Sequence, residues 1–207
     1  MSTLAAMRDK LSYQGISLGI VALVTSAALV IANSVTHGKI AEAEKRDLQI
    51  SLAQVLPEGT ADNDLLTDTI DIAGPDGKPV TVYRARKAGT VTAAVFKMAE
   101  RGYAGDVVVL IGVDPGGRML GARVIKHNET PGLGDKVDIA KTKWILSFNG
   151  KSLGDPPPDK WAVKKDGGVF DQFAGATITP RAVVKAVKTG LEFYADHKNE
   201  ILAGAKP

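Results

Sequence analysis

Two short segments of this 207-residue chain carry groups whose types and spacing suit chemistry. The first is Asp171-Gln-Phe-Ala-Gly-Ala-Thr-Ile-Thr-Pro180. Its small residues Ala174, Gly175 and Ala176 permit close backbone approach just before a predicted helix start. The free N–H groups and positive dipole end there make a phosphate site. Two hydroxyls, Thr177 and Thr179, lie at that point; by local rules Thr179 is the N-cap and Pro180 fills the first helical position. A helix cap without any ligand accounts for the same composition. The second segment, His127-Asn-Glu-Thr-Pro-Gly-Leu-Gly134, follows a predicted strand directly. On turn chemistry it is a loop; as a site it is a backbone-lined concavity beside an apolar sheet, with Glu129 and Thr130 offering polar contacts.

Other templates fail. The chain has no cysteine, which removes disulfides, thiolate nucleophiles, zinc ribbons and protein-held iron–sulfur clusters. There is no G-x-x-x-x-G-K-[ST], no G-x-G-x-x-G after a strand and no G-x-S-x-G. The three histidines have no metal-ligand spacing: His37 reads as interfacial and His197 as solvated. Twenty-six Lys and Arg against 23 Asp and Glu leave a net charge of +3 with both signs interspersed, so no basic stripe exists for nucleic acid.

Several elements must position the two clusters. No charged residue occurs between Leu11 and Gly38. About 20 such residues cross a hydrocarbon core as a helix, and Ser17, Thr25 and Ser26 can return their hydrogen bonds to it. A cleaved leader ending near Val30-Ile31-Ala32 is the competing interpretation, but the apolar run exceeds the roughly 7–15 residues of a signal core. Positive charges flank both ends (Arg8 and Lys10 before; Lys39, Lys45 and Arg46 after), so counting them does not orient the span. The expected division is a short cytoplasmic tail over 1–10, a transmembrane helix over 11–36, a stalk helix over 37–59 and an α+β domain over 60–207, its core spanning about 91–196. On the stalk, Leu48, Leu52, Val55 and Leu56 share one face, and Pro57-Glu-Gly59 ends it.

Gly74-Pro-Asp-Gly77 and Asp114-Pro-Gly-Gly117 are turn signals between strand-like runs at 79–86, 91–96, 106–113 and 118–126. The run 106–113 is apolar almost throughout, which predicts cover on both faces. Residues 137–148 are read as helix passing into strand, and 155–159 as loop. A final helix from Thr179 sets Val183, Val184, Val187 and Leu191 on one face.

At the two clusters a resemblance emerges. Asp171-x-x-Ala-Gly-Ala-Thr177 resembles the D-x-x-[ST]-G-A-T flavinylation motif of FMN-binding domains. Residues 129–134 resemble their E-T-P-G-[LY]-G loop, and Gly102-Tyr103-x-Gly105-Asp106 their opening before a hydrophobic strand. With its N-terminal span, the chain resembles the G subunits of Rnf-type ion-translocating complexes, and less closely the C subunits of sodium-pumping NADH:quinone reductases.

That resemblance implies a single transmembrane helix and one extracytoplasmic FMN-binding α+β domain, with a mainly antiparallel sheet and flanking helices. It also implies covalent FMN, attached by a dedicated flavin transferase as a phosphoester to Thr177. Asp171, Gly175, Ala176 and Thr179 would stand beside the acceptor. Glu129, Thr130, Leu133, Gly134 and Tyr103 would bed the cofactor, with Trp144 either in the core or beneath the ring. Asp171 is either a turn carboxylate or a presenter of the loop. Ala174 stands where the motif has Ser or Thr, so one local hydrogen bond is expected to be missing.

The implied role is an electron relay at the bacterial inner membrane, with the domain on the periplasmic side. Its partners are the other membrane subunits of an NADH/ferredoxin complex, the transferase and lipid. No catalytic or metal-binding residue is implied. A membrane-anchored adaptor with no redox group is the rival from another class.

Overall fold

The computed structural model describes residues 11–203, in two compact units that divide between Asp47 and Leu48. The expected tail over 1–10 lies outside the described residues. One helix, α1 (Leu11–Val55), carries the whole apolar run and continues into the second unit, with no break at the expected boundary of span and stalk. In the first unit its large side chains are exposed on every side, from Ile16 at 64% to Val35 at 68%. Uniform apolarity without a buried face is what a lipid-facing helix requires. The hydroxyls of Thr25, Ser34 and Thr36 donate to the carbonyls of Val21, Val30 and Ala32 at 2.6–2.7 Å, leaving no polar group of theirs unsatisfied.

The second unit is built on a five-stranded antiparallel meander in the order β1 (Thr69–Ala73), β2 (Pro79–Lys87), β3 (Thr90–Arg101), β4 (Asp106–Val113) and β5 (Met119–Lys126). Hairpin chemistry sets this order. Between β2 and β3, Ala88 and Gly89 take φ of 50° and 80°, the mirror-image turn that matches strand twist. Gly77 and Gly117 supply positive φ in the turns foreseen from sequence.

One sheet face, with Phe96, Val109 and Ile111, receives helix α2 (Ile178–Leu202) through Val183, Val187 and Leu191. Gly190 permits that approach: a Cβ there would lie 2.5 Å from Ile111 Cδ1. The opposite face is covered by the last turns of α1, where Leu52 and Val55 are buried on Val95 and Leu110. Each such burial contributes about 1.5–3 kcal/mol. The cross-strand partners Gly112 and Gly121 form the seat: added Cβ atoms would sit 2.9 and 2.8 Å from the Val55 carbonyl oxygen. β4 is therefore covered on both faces, as its apolar run predicts.

Residues 137–148 hold no strand. A 3₁₀ turn, Gly134–Val137, ends where they begin, and a second, Trp144–Phe148, closes them. Ile145 and Phe148, three apart, both point into the core, and the Thr142 hydroxyl holds the intervening chain by donating to the Lys136 carbonyl and accepting from the Trp144 N–H. His197 is half-buried against Phe193 rather than solvated, with ring centroids 4.9 Å apart.

Candidate functional site

Because neighbouring strands alternate in direction, β3 ends, β4 begins and β5 ends at one edge of the sheet. Three loops meet there with the start of α2. The first is the tight turn between β3 and β4, closed by the Gly102 N–H on the Gly105 carbonyl at 2.8 Å. The second follows β5: Leu133 N–H donates to the Thr130 carbonyl at 3.1 Å, with Pro131 and Gly132 (φ +78°) between. The third is Phe173–Ala176, where Ala176 N–H donates to the Phe173 carbonyl at 3.2 Å and Gly175 also has φ +78°. Positive φ at the third position is the type II pattern, which a side chain resists. The two glycines thus explain why P-G and A-G recur in the two sequence clusters. Ala174 sits exposed at the apex of the third turn, so the missing hydroxyl leaves no buried partner behind.

The carboxylate of Glu129 joins these loops. It is 5% exposed. Oε1 accepts from the backbone N–H groups of Tyr103 and Ala104 at 3.0 and 3.1 Å, and Oε2 accepts from the Thr179 hydroxyl. Glycine on both sides makes room: a Cβ on Gly102 would lie 2.6 Å from Oε1, and one on Gly134 2.8 Å from Oε2.

Helix α2 begins one residue earlier than expected, at Ile178, and Thr179 is not its cap. Thr177 occupies the cap position, half-buried and with no side-chain cap bond. Thr179 is 1% exposed and spends its hydroxyl on a carboxylate fifty residues away in sequence. A buried long-range acceptor outweighs a local cap in an exposed turn. The helix start is pinned from outside by Asp166, which accepts from Arg181 Nε and Nη2 at 2.6 Å each. Those hydrogen bonds hold the Asp166 carboxyl below the usual carboxylate range.

Between the loops opens a cavity of about 330 Å³. Its wall contains Tyr103, Glu129, Thr130, Leu133, Gly134, Gly175, Ala176, Thr177 and Thr179, nine of the ten residues singled out from sequence. Asp171 is not in the wall. Its carboxylate pairs with Lys164 at 2.6 Å and its carbonyl accepts from Trp144 Nε1 at 2.8 Å. Trp144 packs edge-on to Phe148 and Phe173, bracing the loop rather than lining the cavity. Ile178, missed in sequence, joins the wall at 44% exposure; its only signal was its place directly after Thr177. With Tyr103 (74%) and Leu133 (43%), it makes an apolar rim beside the start of α2, where the N–H groups of Ile178 and Thr179 have no partner within the helix and the Thr177 hydroxyl adds a donor. That donor set suits a phosphate and the rim suits a flat ring, so the residues fit a flavin mononucleotide.

Fold and cavity belong to an FMN-binding domain, whose family model matches residues 102–192. Residues 5–55 match a second model, the RnfG N-terminal region. The chain is 49% identical over 188 residues to the G subunit of the ion-translocating oxidoreductase complex of Stutzerimonas stutzeri, covering 91% of this chain and 82% of that one. It is 49% identical to the corresponding G subunit of Cereibacter sphaeroides over 93% of this chain and 88% of the relative. The chain belongs to this family of G subunits. A crystal structure of Shewanella oneidensis NqrC aligns with a TM-score of 0.49 at 26% identity, covering 71% of this chain and 74% of that one.

Proposed function

We propose that this chain is a membrane-anchored flavoprotein electron carrier within an ion-translocating oxidoreductase complex, its FMN joined by a phosphoester to Thr177. FMN supplies the storage of electrons; the protein supplies position and electrostatics. One contrast carries the assignment. The Thr177 hydroxyl makes no cap bond at the mouth of the cavity, whereas the Thr179 hydroxyl, two residues on, is buried and bound to Glu129.

A threonine hydroxyl is a weak nucleophile at neutral pH, so attachment calls for a dedicated flavin transferase. The N–H groups at the start of α2 would then hold the phosphate charge by about 0.3–1 kcal/mol. That is little beside a covalent bond, but enough to orient the phosphate and limit where the ring can lie. Tyr103, Leu133 and Ile178 would flank the ring. Asp171, paired with Lys164 outside the wall, is positioned to present the loop to the transferase rather than to touch the cofactor. Membrane anchoring follows from α1. The domain would stand on the periplasmic side of a bacterial inner membrane, beside the other membrane subunits.

The test is flavin fluorescence in a denaturing gel, together with intact mass. A fluorescent band and the added mass of FMN are expected in native protein and in Thr179→Val, and neither in Thr177→Ala. A band surviving Thr177→Ala overturns the acceptor assignment. Native protein of unmodified mass, with the transferase present, leaves only a membrane-anchored binding module or adaptor.

A further inference from the structure

We propose that Glu129 is a positioning residue whose fixed negative charge lowers the reduction potential of the cofactor held in the cavity, and that it is not a ligand for the cofactor's own polar groups. This rests on the assignment of the cavity to FMN. The carboxylate is 5% exposed, yet it lines the cavity. Both of its oxygens are engaged by donors from this chain: two backbone N–H groups on Oε1 and the Thr179 hydroxyl on Oε2. In all three contacts it accepts, the arrangement of an ionised carboxylate.

Among the described residues no Lys or Arg forms an ion pair with Glu129; the Lys and Arg partners are Asp76, Asp68, Asp106, Asp155, Asp159, Asp171, Asp166, Glu100 and Glu192. Its charge is spread over neutral dipoles and not cancelled. At 5% exposure the carboxylate is largely removed from solvent, so such a charge acts over several ångströms with less screening than one at the surface. Electrons entering a neighbouring group meet that field, so reduction becomes harder.

The surroundings also hold the charge in place. Added Cβ atoms at Gly102 and Gly134 would lie 2.6 and 2.8 Å from its two oxygens, so glycine on either side is what lets the carboxylate keep this position. The same contacts fix the Tyr103 turn against the start of α2.

The experiment is a potentiometric titration of the full-length flavinylated protein in detergent, alongside Glu129→Gln and Thr179→Val. Gln removes the charge and keeps an acceptor for the two N–H groups. The midpoint potential is expected to rise in Glu129→Gln with the fluorescent gel band retained. Thr179→Val takes one donor from a carboxylate that stays charged, and its potential is expected to fall. Simple loosening of the site would move both variants in one direction. A flavin-bearing Glu129→Gln with an unchanged or lower potential overturns the proposal. If Glu129→Gln takes up no flavin, Thr179→Val decides alone: a fall supports the proposal, and an unchanged or higher potential overturns it. Wild-type protein without flavin overturns the FMN assignment of the cavity instead.

Discussion

Two pairs of glycines let something come unusually close in this domain, and what comes close differs. Under Gly112 and Gly121 the chain brings its own backbone, the Val55 carbonyl, into contact with the sheet and leaves no space. Beside Gly102 and Gly134 it brings a carboxylate, and an opening remains above it. The first pair serves cohesion, since helix and sheet exclude water over Leu52 and Leu110. The second gives up some cohesion to hold a charge and a void at the sheet's edge. The same residue type thus marks a closed contact in one place and a working cavity in the other, and only the neighbours distinguish them.

The largest effect should come from breaking the open pair. Gly134→Ala drives a Cβ to 2.8 Å from Glu129 Oε2 and Thr179 Oγ1, so a loss of about 1–3 kcal/mol in urea unfolding and of most flavin fluorescence is expected. Breaking the closed pair should separate these readouts. Gly121→Ala meets the Val55 oxygen and Cα at 2.8 and 3.0 Å and should cost a similar amount while the gel band persists. Equal loss of flavin in both variants would show that the two regions are not independent. Gly175→Ala meets little but Leu133 at 3.5 Å, so its cost is the positive φ alone, about 1–2 kcal/mol, with reduced labelling at Thr177.

A smaller effect concerns acid. Asp68, just before β1, bridges Arg84 and Arg86 on β2. Burial pushes its carboxyl up, but the hydrogen bonds and charges of the two arginines outweigh that and hold it low. A depressed folded pKa contributes stability that is present above the unfolded value and lost as pH falls through the folded one. Melting temperature should therefore drop below about pH 4, and Asp68→Asn should be less stable at neutral pH with a flatter acid limb. The smallest effect is Ala174→Ser, at an exposed turn apex, expected to stay within about 0.5 kcal/mol and leave labelling unchanged.

Much of this is legible in the sequence because the relevant forces are local. The run 106–113 alternates too little for a half-exposed strand, and it is β4 to the residue. Pro131-Gly132 and Ala174-Gly175 carry their turn type in their dihedral preferences. The failures share a different cause. Cap rules consult only neighbours and so place Thr179 at the helix start, whereas its hydroxyl answers to Glu129 across the fold. The motif groups Asp171 with the cavity, but Lys164 and Trp144 draw it aside. At 137–148 the apolar spacing is shared by short helices, 3₁₀ turns and strand ends, and the seating of Ile145 and Phe148 decides the matter. The part played by Glu129 needs three loops at once, which no window of sequence contains.

The seat beneath Val55 also fixes where the molecule can be trimmed. A fragment beginning at residue 60 would shed Leu52 and Val55 and lay bare Val95 and Leu110 on the far side of the sheet. Such material would clump in dilute buffer. A fragment beginning at Leu48 takes its own cover with it, so the end of the anchor helix is as much a part of the globule as any strand.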